Sequence, residues 1–415
     1  MAIIKPFKGY KPKKDIVKQL ASRPYDVINS EEARELVKDN PHSFLHVVKP
    51  EVDLPENIDV HSTEVYKKGK ENLQKLLNDG TFIQDEMPSY YIYAQTFQGQ
   101  TQYGLVGCAA VEDYENGIIK IHEYTRPDKE DDRVAHINVT NFNAEPVFFT
   151  YPDNATINKI VDQIVQSDPD FDFDAGDGVC HHLWTVSDQQ IVKKIEETCN
   201  SEIPYTYVAD GHHRTAAASR VGSERKAKNL NHKGDEEYNY FLAVHFPASQ
   251  LRIIDYNRVI KDLNGLTKEE FINKLKSSFD IELVGENIYK PEKLHEFSMY
   301  IEGKWYKLNA KEGTYNDNHP IEVLDVTILT KQILDPVLDI KDLRTSTRID
   351  FVGGIRGLGE LEKRVNSGEM VAAFALYPVS MKQLIDIADS GNIMPPKTTW
   401  FEPKLRSGLV IHELK

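Results

Sequence analysis

The stretch Tyr205-Thr-Tyr-Val-Ala-Asp-Gly-His-His-Arg-Thr-Ala-Ala-Ala-Ser219 constrains the fold of this chain more than any other part of it. β-branched and aromatic residues run into Asp210-Gly211, and an alanine-rich segment follows. The pattern predicts a short strand, a tight turn and a helix. The first amides of a helix have no partner within it, and the helix dipole favours negative charge at that end. His212, His213 and Arg214 add cationic and donor groups there, and Gly211 lets backbone approach a ligand. The turn therefore reads as an anion cradle, with phosphate the best-fitting occupant. Asp210 could hold a metal or orient a histidine. The plainer alternative makes Asp210 a helix cap and the other side chains solvated polar residues.

At 415 residues the chain has room for two or three domains or one large elaborated one. An apolar content of 40% supports a core, yet no run of about 18 apolar residues exists, so no membrane helix is expected. The N-terminal segment lacks the apolar run of a signal peptide. Cys108, Cys180 and Cys199 are widely spaced and form no paired motif, which suits a reducing cytoplasm. A net charge of −15 argues against general nucleic-acid binding while leaving room for a local basic pocket. The expected partner is a small phosphorylated metabolite or nucleotide, and a homodimer is compatible with the chain.

Helices are predicted over Ser30–Lys38, capped by Ser30, and about Ser62 to Leu77. Tyr90–Phe97, Tyr103–Val111 and Gly117–Tyr124 read as strands separated by Gln-Gly and Glu-Asn-Gly turns. Arg133 to Asn143 reads as a helix, Pro146–Tyr151 as a strand, and Tyr238–Phe246 with Leu251–Val259 as a strand pair. A boundary near Lys261–Thr267 divides a core domain, 1–260, from a smaller α/β region, 261–415, whose tail can pack back on the site. Hairpins mixed with alternating helices predict an α+β fold of mixed sheets.

A second constellation, His122-Glu-Tyr-Thr-Arg126 with Asp131-Asp-Arg133, closes a predicted strand. Glu123 is a candidate general base and His122 an acid or base near neutral pH, while Arg126 and Arg133 could contact phosphate. The alternative is a polar loop after an edge strand. Arg348 and Asp350 alternate with Ile349 before Gly353-Gly354, as a ligand-facing turn or a plain strand would. Lys397 and Lys404 in the proline-rich tail could close over an anion, or belong to a structural arm. Arg23 and Asp26 flank a turn that reads as structural, as do Cys180-His181-His182 and the acidic loop Asp168–Asp177. Walker, nucleophile-elbow and His-Glu-x-x-His motifs are absent.

Taken together, Arg23-Pro-Tyr-Asp-Val27, His122-Glu-Tyr-Thr125 with Asp132-Arg133, Ala209-Asp-Gly-His-His-Arg214, Arg348-Ile-Asp-Phe-Val-Gly-Gly354 and Met394–Lys404 with Ser407-Gly-Leu409 resemble a bacterial and archaeal family known as domain of unknown function 1015. Asp210–Arg214 also resembles the nucleotide-phosphate motif of the ParB and sulfiredoxin superfamily, which includes free serine kinases. His212 stands where sulfiredoxins carry cysteine, so sulfinic-acid repair is not expected, and no basic recognition helix supports DNA binding. The resemblance implies a ParB/sulfiredoxin-like phosphate-binding core and ATP or ADP with Mg2+ as cofactors. It also implies a phosphotransferase or phosphatase acting on serine or phosphoserine. In that reading Glu123, His122, His212 and His213 are catalytic. Asp210, Gly211, Arg214, Arg126 and Arg133 bind phosphate, and Asp210 is the metal candidate. The competing reading is a non-catalytic nucleotide or phosphometabolite sensor.

Overall fold

A computed structural model describes residues Met1–Lys415, which divide into two units: Met1–Leu251 with Pro403–Lys415, and Arg252–Glu402. The first unit is built on a nine-stranded mixed sheet. Its order is Ile119–Lys120, Thr206–Asp210, Val147–Tyr151, Tyr240–Pro247, Gln100–Ala110, Tyr90–Phe97, Val179–Val186 and Phe171–Asp174. Ile4–Lys5 pairs with the end of Gln100–Ala110 that Tyr90–Phe97 does not reach. Two contacts are parallel, Val147–Tyr151 with Tyr240–Pro247 and Thr206–Asp210 with Ile119–Lys120, and the rest are antiparallel. The fold is mixed α+β, as the alternation of hairpins and helices predicts.

Strand periodicity decides what lies on each face. In-register pairing carries Ile92, Leu105, Phe241, Ala243, Val147, Phe149 and Val208 to one side. There the helices Pro127–Thr140, Ala155–Ile164, Gln189–Glu202 and His212–Lys228 bury their apolar stripes. The opposite face carries Tyr91, Tyr93 and Gln95, and the two ends of the chain cover it. Phe7 packs edge-on against Tyr91 and His412, and Gln95 donates to the Lys404 carbonyl at 2.9 Å. The helices Ser30–Val37, Leu45–Val48 and Thr63–Asn78 build a third cluster with Phe82, Phe142 and Ile411.

Local signals explain most boundaries. Gln98 and Gly99 both take positive φ, 51° and 78°, as a two-residue hairpin turn with the right twist requires. Asn29, not Ser30, caps the first predicted helix. Its side chain accepts from the Glu32 amide at 2.8 Å, and Glu32 returns a bond to the Asn29 amide. The helix expected from Arg133 begins at Pro127, because proline is preset for the first helical position and Asp128 and Glu130 suit the dipole. Only Ile119–Lys120 of the predicted Gly117–Tyr124 strand is paired. Tyr240–Pro247 does not pair with the segment after Leu251: Gln100–Ala110 and Val147–Tyr151 already occupy both its edges. No helix is long and apolar enough to cross a membrane.

The second unit holds a six-stranded antiparallel sheet. Its order is Phe279–Gly285, Lys304–Ala310, Glu296–Ile301, Ala372–Leu376, Tyr256–Ile260 and Ile349–Gly353. Val259, Val352, Ala373 and Trp305 on one face pack with Leu361 and Val365 of the helix Gly359–Asn366.

Candidate functional site

Asp210 is aimed by an irregularity in its strand. Val208 lies opposite Phe149 and Asp210 opposite Phe148, so Ala209 is the extra residue of a β-bulge. The bulge turns Asp210 to the sheet face that carries Phe148, away from the helices. Gly211 then takes φ +92°, a left-handed conformation that L side chains rarely adopt, and His212 opens the helix. Thr215 closes the first turn by donating from its amide (2.9 Å) and hydroxyl (3.1 Å) to the Gly211 carbonyl. One Asp210 oxygen accepts from the Gly211 amide at 2.9 Å, and the other accepts from Lys404 Nζ at 2.9 Å. Burial raises the pKa of this carboxyl, but Lys404 and Arg214 outweigh burial and hold it well below the usual carboxylate range. No group of three or more His, Cys, Asp or Glu is arranged to hold a metal here.

The second constellation docks on the same turn. The His122 ring meets the His212 ring edge-on with centroids 4.5 Å apart, and the Arg126 amide donates to His213 Nε2 at 3.0 Å. Burial lowers the pKa of His122 to about 4, opposed by the Asp210 charge, and takes His212 well below its ordinary value. Both are neutral, enclosed imidazoles at pH 7, and His212 Nε2 has no hydrogen-bond partner. His213 is half-buried and shifted down less far, again mainly by burial. Glu123 lies between the two anchored residues and is half-buried. Arg126 is exposed, and its guanidinium pairs with Asp128 at 2.9 Å.

The arginines have unequal roles. Arg214, 7% exposed, donates to the Pro146 carbonyl at 2.8 Å and stands 3.9 Å from Asp26, while its Nε has no partner. Its guanidinium lies over Gly211, where an added Cβ would sit 3.1 Å from Nε. Arg133 is spent inside the protein. It pairs with Asp132 at 2.7 Å and Glu145 at 3.3 Å and covers the Tyr25 ring at 3.8 Å. Glu145 also accepts from the Tyr25 amide and the Ser407 hydroxyl, each at 3.1 Å. Arg133, Arg214 and Glu145 line a common cavity of about 30 Å³.

Arg23-Pro-Tyr-Asp26, which reads as a structural turn, lies in this network. Tyr25 and Asp26 face Arg133 and Arg214, and Arg23 reaches Asp177 at 3.2 Å. Asp177 also pairs with the buried Arg406, whose amide donates to Tyr93 OH, itself 2.7 Å from His181 Nδ1. These contacts join residues 88 to 313 positions apart, so no local pattern announces them. The only local signal is two opposite charges packed about a proline.

Arg348, Asp350 and Lys397 belong to the second unit and have local partners there. Arg348 binds Asp262 at 2.9 Å and the Leu338 carbonyl at 2.8 Å, and Asp350 pairs with Arg364 at 2.8 Å. The Lys397 ammonium stands 5.8 Å from the centre of the Tyr256 ring.

A family described as "Protein of unknown function (DUF1015)" matches residues 4–327, so the Arg348–Gly354 and Met394–Lys404 motifs lie beyond the matched segment. No curated protein matches the sequence. Among solved structures, a free serine kinase in complex with AMP is similar over 72% of this chain and 86% of its own, at 12% identity and a TM-score of 0.36. SbnI from Staphylococcus aureus, with a C-terminal truncation, is similar over 73% and 85% at 11% identity and a TM-score of 0.38. A conserved hypothetical protein from Pyrococcus furiosus is similar over 73% and 93% at 13% identity and a TM-score of 0.35.

Proposed function

The chain belongs to this family of unknown function, and we propose that it is a phosphoryl-transfer enzyme acting on a small metabolite, with serine or phosphoserine the leading substrate class. One observation carries the reading: the His122–Arg126 segment is anchored to the start of the helix His212–Lys228 at two points, His212 and His213. A candidate base, Glu123, and a candidate phosphate cradle thereby belong to one locality. Phosphoryl transfer asks mainly for positioning and charge neutralisation. The outward amides of the helix start, Lys404 and Arg214 supply donors for phosphate oxygens. Glu123 takes the hydroxyl proton in the kinase direction or orients water in the phosphatase direction. His122 and His212, enclosed and neutral, act as packing that fixes the turn, which leaves Glu123 and His213 for proton handling.

ATP or ADP is the proposed nucleotide, arriving with Mg2+ bound to its phosphates, and the cytoplasm is the proposed location. The sensor reading has one observation in its favour: two of the cations at the turn are already paired, Lys404 with Asp210 and Arg126 with Asp128. Purified protein incubated with Mg2+, a panel of nucleotides, and serine or phosphoserine separates the two. Transfer or release of phosphate supports the enzyme. Tight nucleotide binding with no turnover on any pair supports the sensor.

A further inference from the structure

The first unit contains a second cavity, of about 250 Å³, that the proposed reaction does not use. Thr206–Asp210 runs antiparallel to Val147–Tyr151, so Asp210 stands beside the start of that strand and the cavity lies at its end. Roughly 10 Å of strand separates the two places. Tyr151 and Pro247 are the last residues of neighbouring parallel strands and lie in register. Open sheets commonly receive ligands at the carboxyl ends of such strands.

The walls are held by specific bonds. Gln250 accepts the Tyr103 amide at 2.7 Å, and Asp153 accepts the Ser249 amide at 3.0 Å, which pins the turn Ala248–Gln250 against the sheet. Tyr103, half-buried, supplies the accessible aromatic surface, Leu105 and Tyr151 form the buried floor behind it, and Asn158, Asp162 and Gln250 supply the polar groups. Asn158 and Asp162 are one helical turn apart and share a face. No lysine, arginine or histidine lines the cavity, so Asp162 carries its only formal charge. The Asp153 charge reaches the Tyr151 phenol from outside the lining and adds to the negative potential.

We propose that this cavity binds a small organic monocation, a monoamine with a compact apolar body. Asp162 and Asn158 take the ammonium, and Tyr103 covers the hydrocarbon. The volume lies just under the roughly 300–1,000 Å³ of pockets for drug-sized ligands, which suits a single small amine. The inference is independent of the phosphoryl-transfer reading.

Calorimetric titration of the full chain with phenethylamine and butylamine tests it, with 2-phenylethanol and phenylacetate as neutral and anionic counterparts of the first. At least one amine is expected to bind saturably, and phenethylamine at least about ten-fold more tightly than its two counterparts. Asp162→Asn, a change at an exposed position, is expected to remove the preference for the cation without altering the melting temperature. Tyr103→Leu is expected to weaken both amines. The proposal is overturned if neither amine saturates up to about 10 mM, well above a millimolar dissociation constant. It is equally overturned if charge makes no difference, or if Asp162→Asn binds the amines as the parent does.

Discussion

Lys404 places its ammonium 2.9 Å from the carboxylate of Asp210, a residue 194 positions earlier in the chain. The contact ties the C-terminal segment to the turn that opens the helix His212–Lys228. The Asp210 carboxylate accepts from both Lys404 and the Gly211 amide.

Replacing Lys404 with methionine keeps much of the side-chain volume and removes the cation hydrogen-bonded to Asp210, leaving Arg214 as the remaining positive neighbour. A hydrogen bond to a charged partner contributes about 1.5–3 kcal/mol, so the urea midpoint is expected to fall by a corresponding amount at pH 7. Because the folded carboxyl is shifted down, this contribution is present above its unfolded value of about 3.9 and is lost as pH falls through the folded value. An unchanged midpoint at pH 7 would show the pair to be idle.

Glu145 supports more than Lys404 does, since it is buried against two arginines. Glu145→Gln keeps the shape but leaves Arg133 and Arg214 short of one negative charge. Breaking a buried pair by removing one partner costs about 3–5 kcal/mol. Chemical denaturation is expected to rank Glu145→Gln as more destabilising than Lys404→Met, and the reverse order would contradict the network as described.

Five buried histidines make the fold sensitive to acid. Burial lowers His122 and His136 to about 4 and His181 and His245 to about 3, and takes His212 well below its ordinary value. The unfolded chain binds protons on these rings below about pH 6.5 while the folded one does not. Stability is therefore complete above that pH and declines as pH falls from 6.5 towards the folded values. Each ring adds a slope of up to about 1.4 kcal/mol per pH unit. Urea midpoints between pH 7.5 and 5 measure it, and His245→Phe, in an apolar setting against Phe149, is expected to flatten the profile. A profile already flat in the parent would refute the assignment.

Gly211→Ala tests the turn itself. A left-handed conformation costs an L side chain about 1–2 kcal/mol, and the new methyl would meet Arg214 Nε at 3.1 Å. A loss of that size with weakened nucleotide binding is expected. Full stability and affinity would show that Gly211 is not required there.

Much of this was legible in the chain, and the exceptions have physical causes. Tyr90–Phe97 was readable to the residue because aromatic and β-branched side chains dominate it, interrupted only by Ala94 and Gln95, up to a Gln-Gly turn. The strand–turn–helix at Asp210 was readable from the same kind of signal. The helix start at Pro127 was hidden because no apolar residue stands between Pro127 and Val134 to show helical periodicity. Arg133 and Arg214 look alike in sequence and are equally buried, and only long-range contacts distinguish them: Arg133 is paired with Asp132 and Glu145 under Tyr25, whereas Arg214 Nε is left without a partner beside Gly211. The role of Arg23–Asp26 and of Asp177 depends on partners far along the chain, which no local pattern encodes.

The central claim is that Glu123 and the Asp210–Arg214 turn serve one reaction, and Glu123→Gln measured in parallel for turnover and nucleotide affinity tests it most directly. The account predicts a fall in kcat of at least about a hundred-fold with the nucleotide Kd unchanged. Turnover equal to that of the parent enzyme would contradict it.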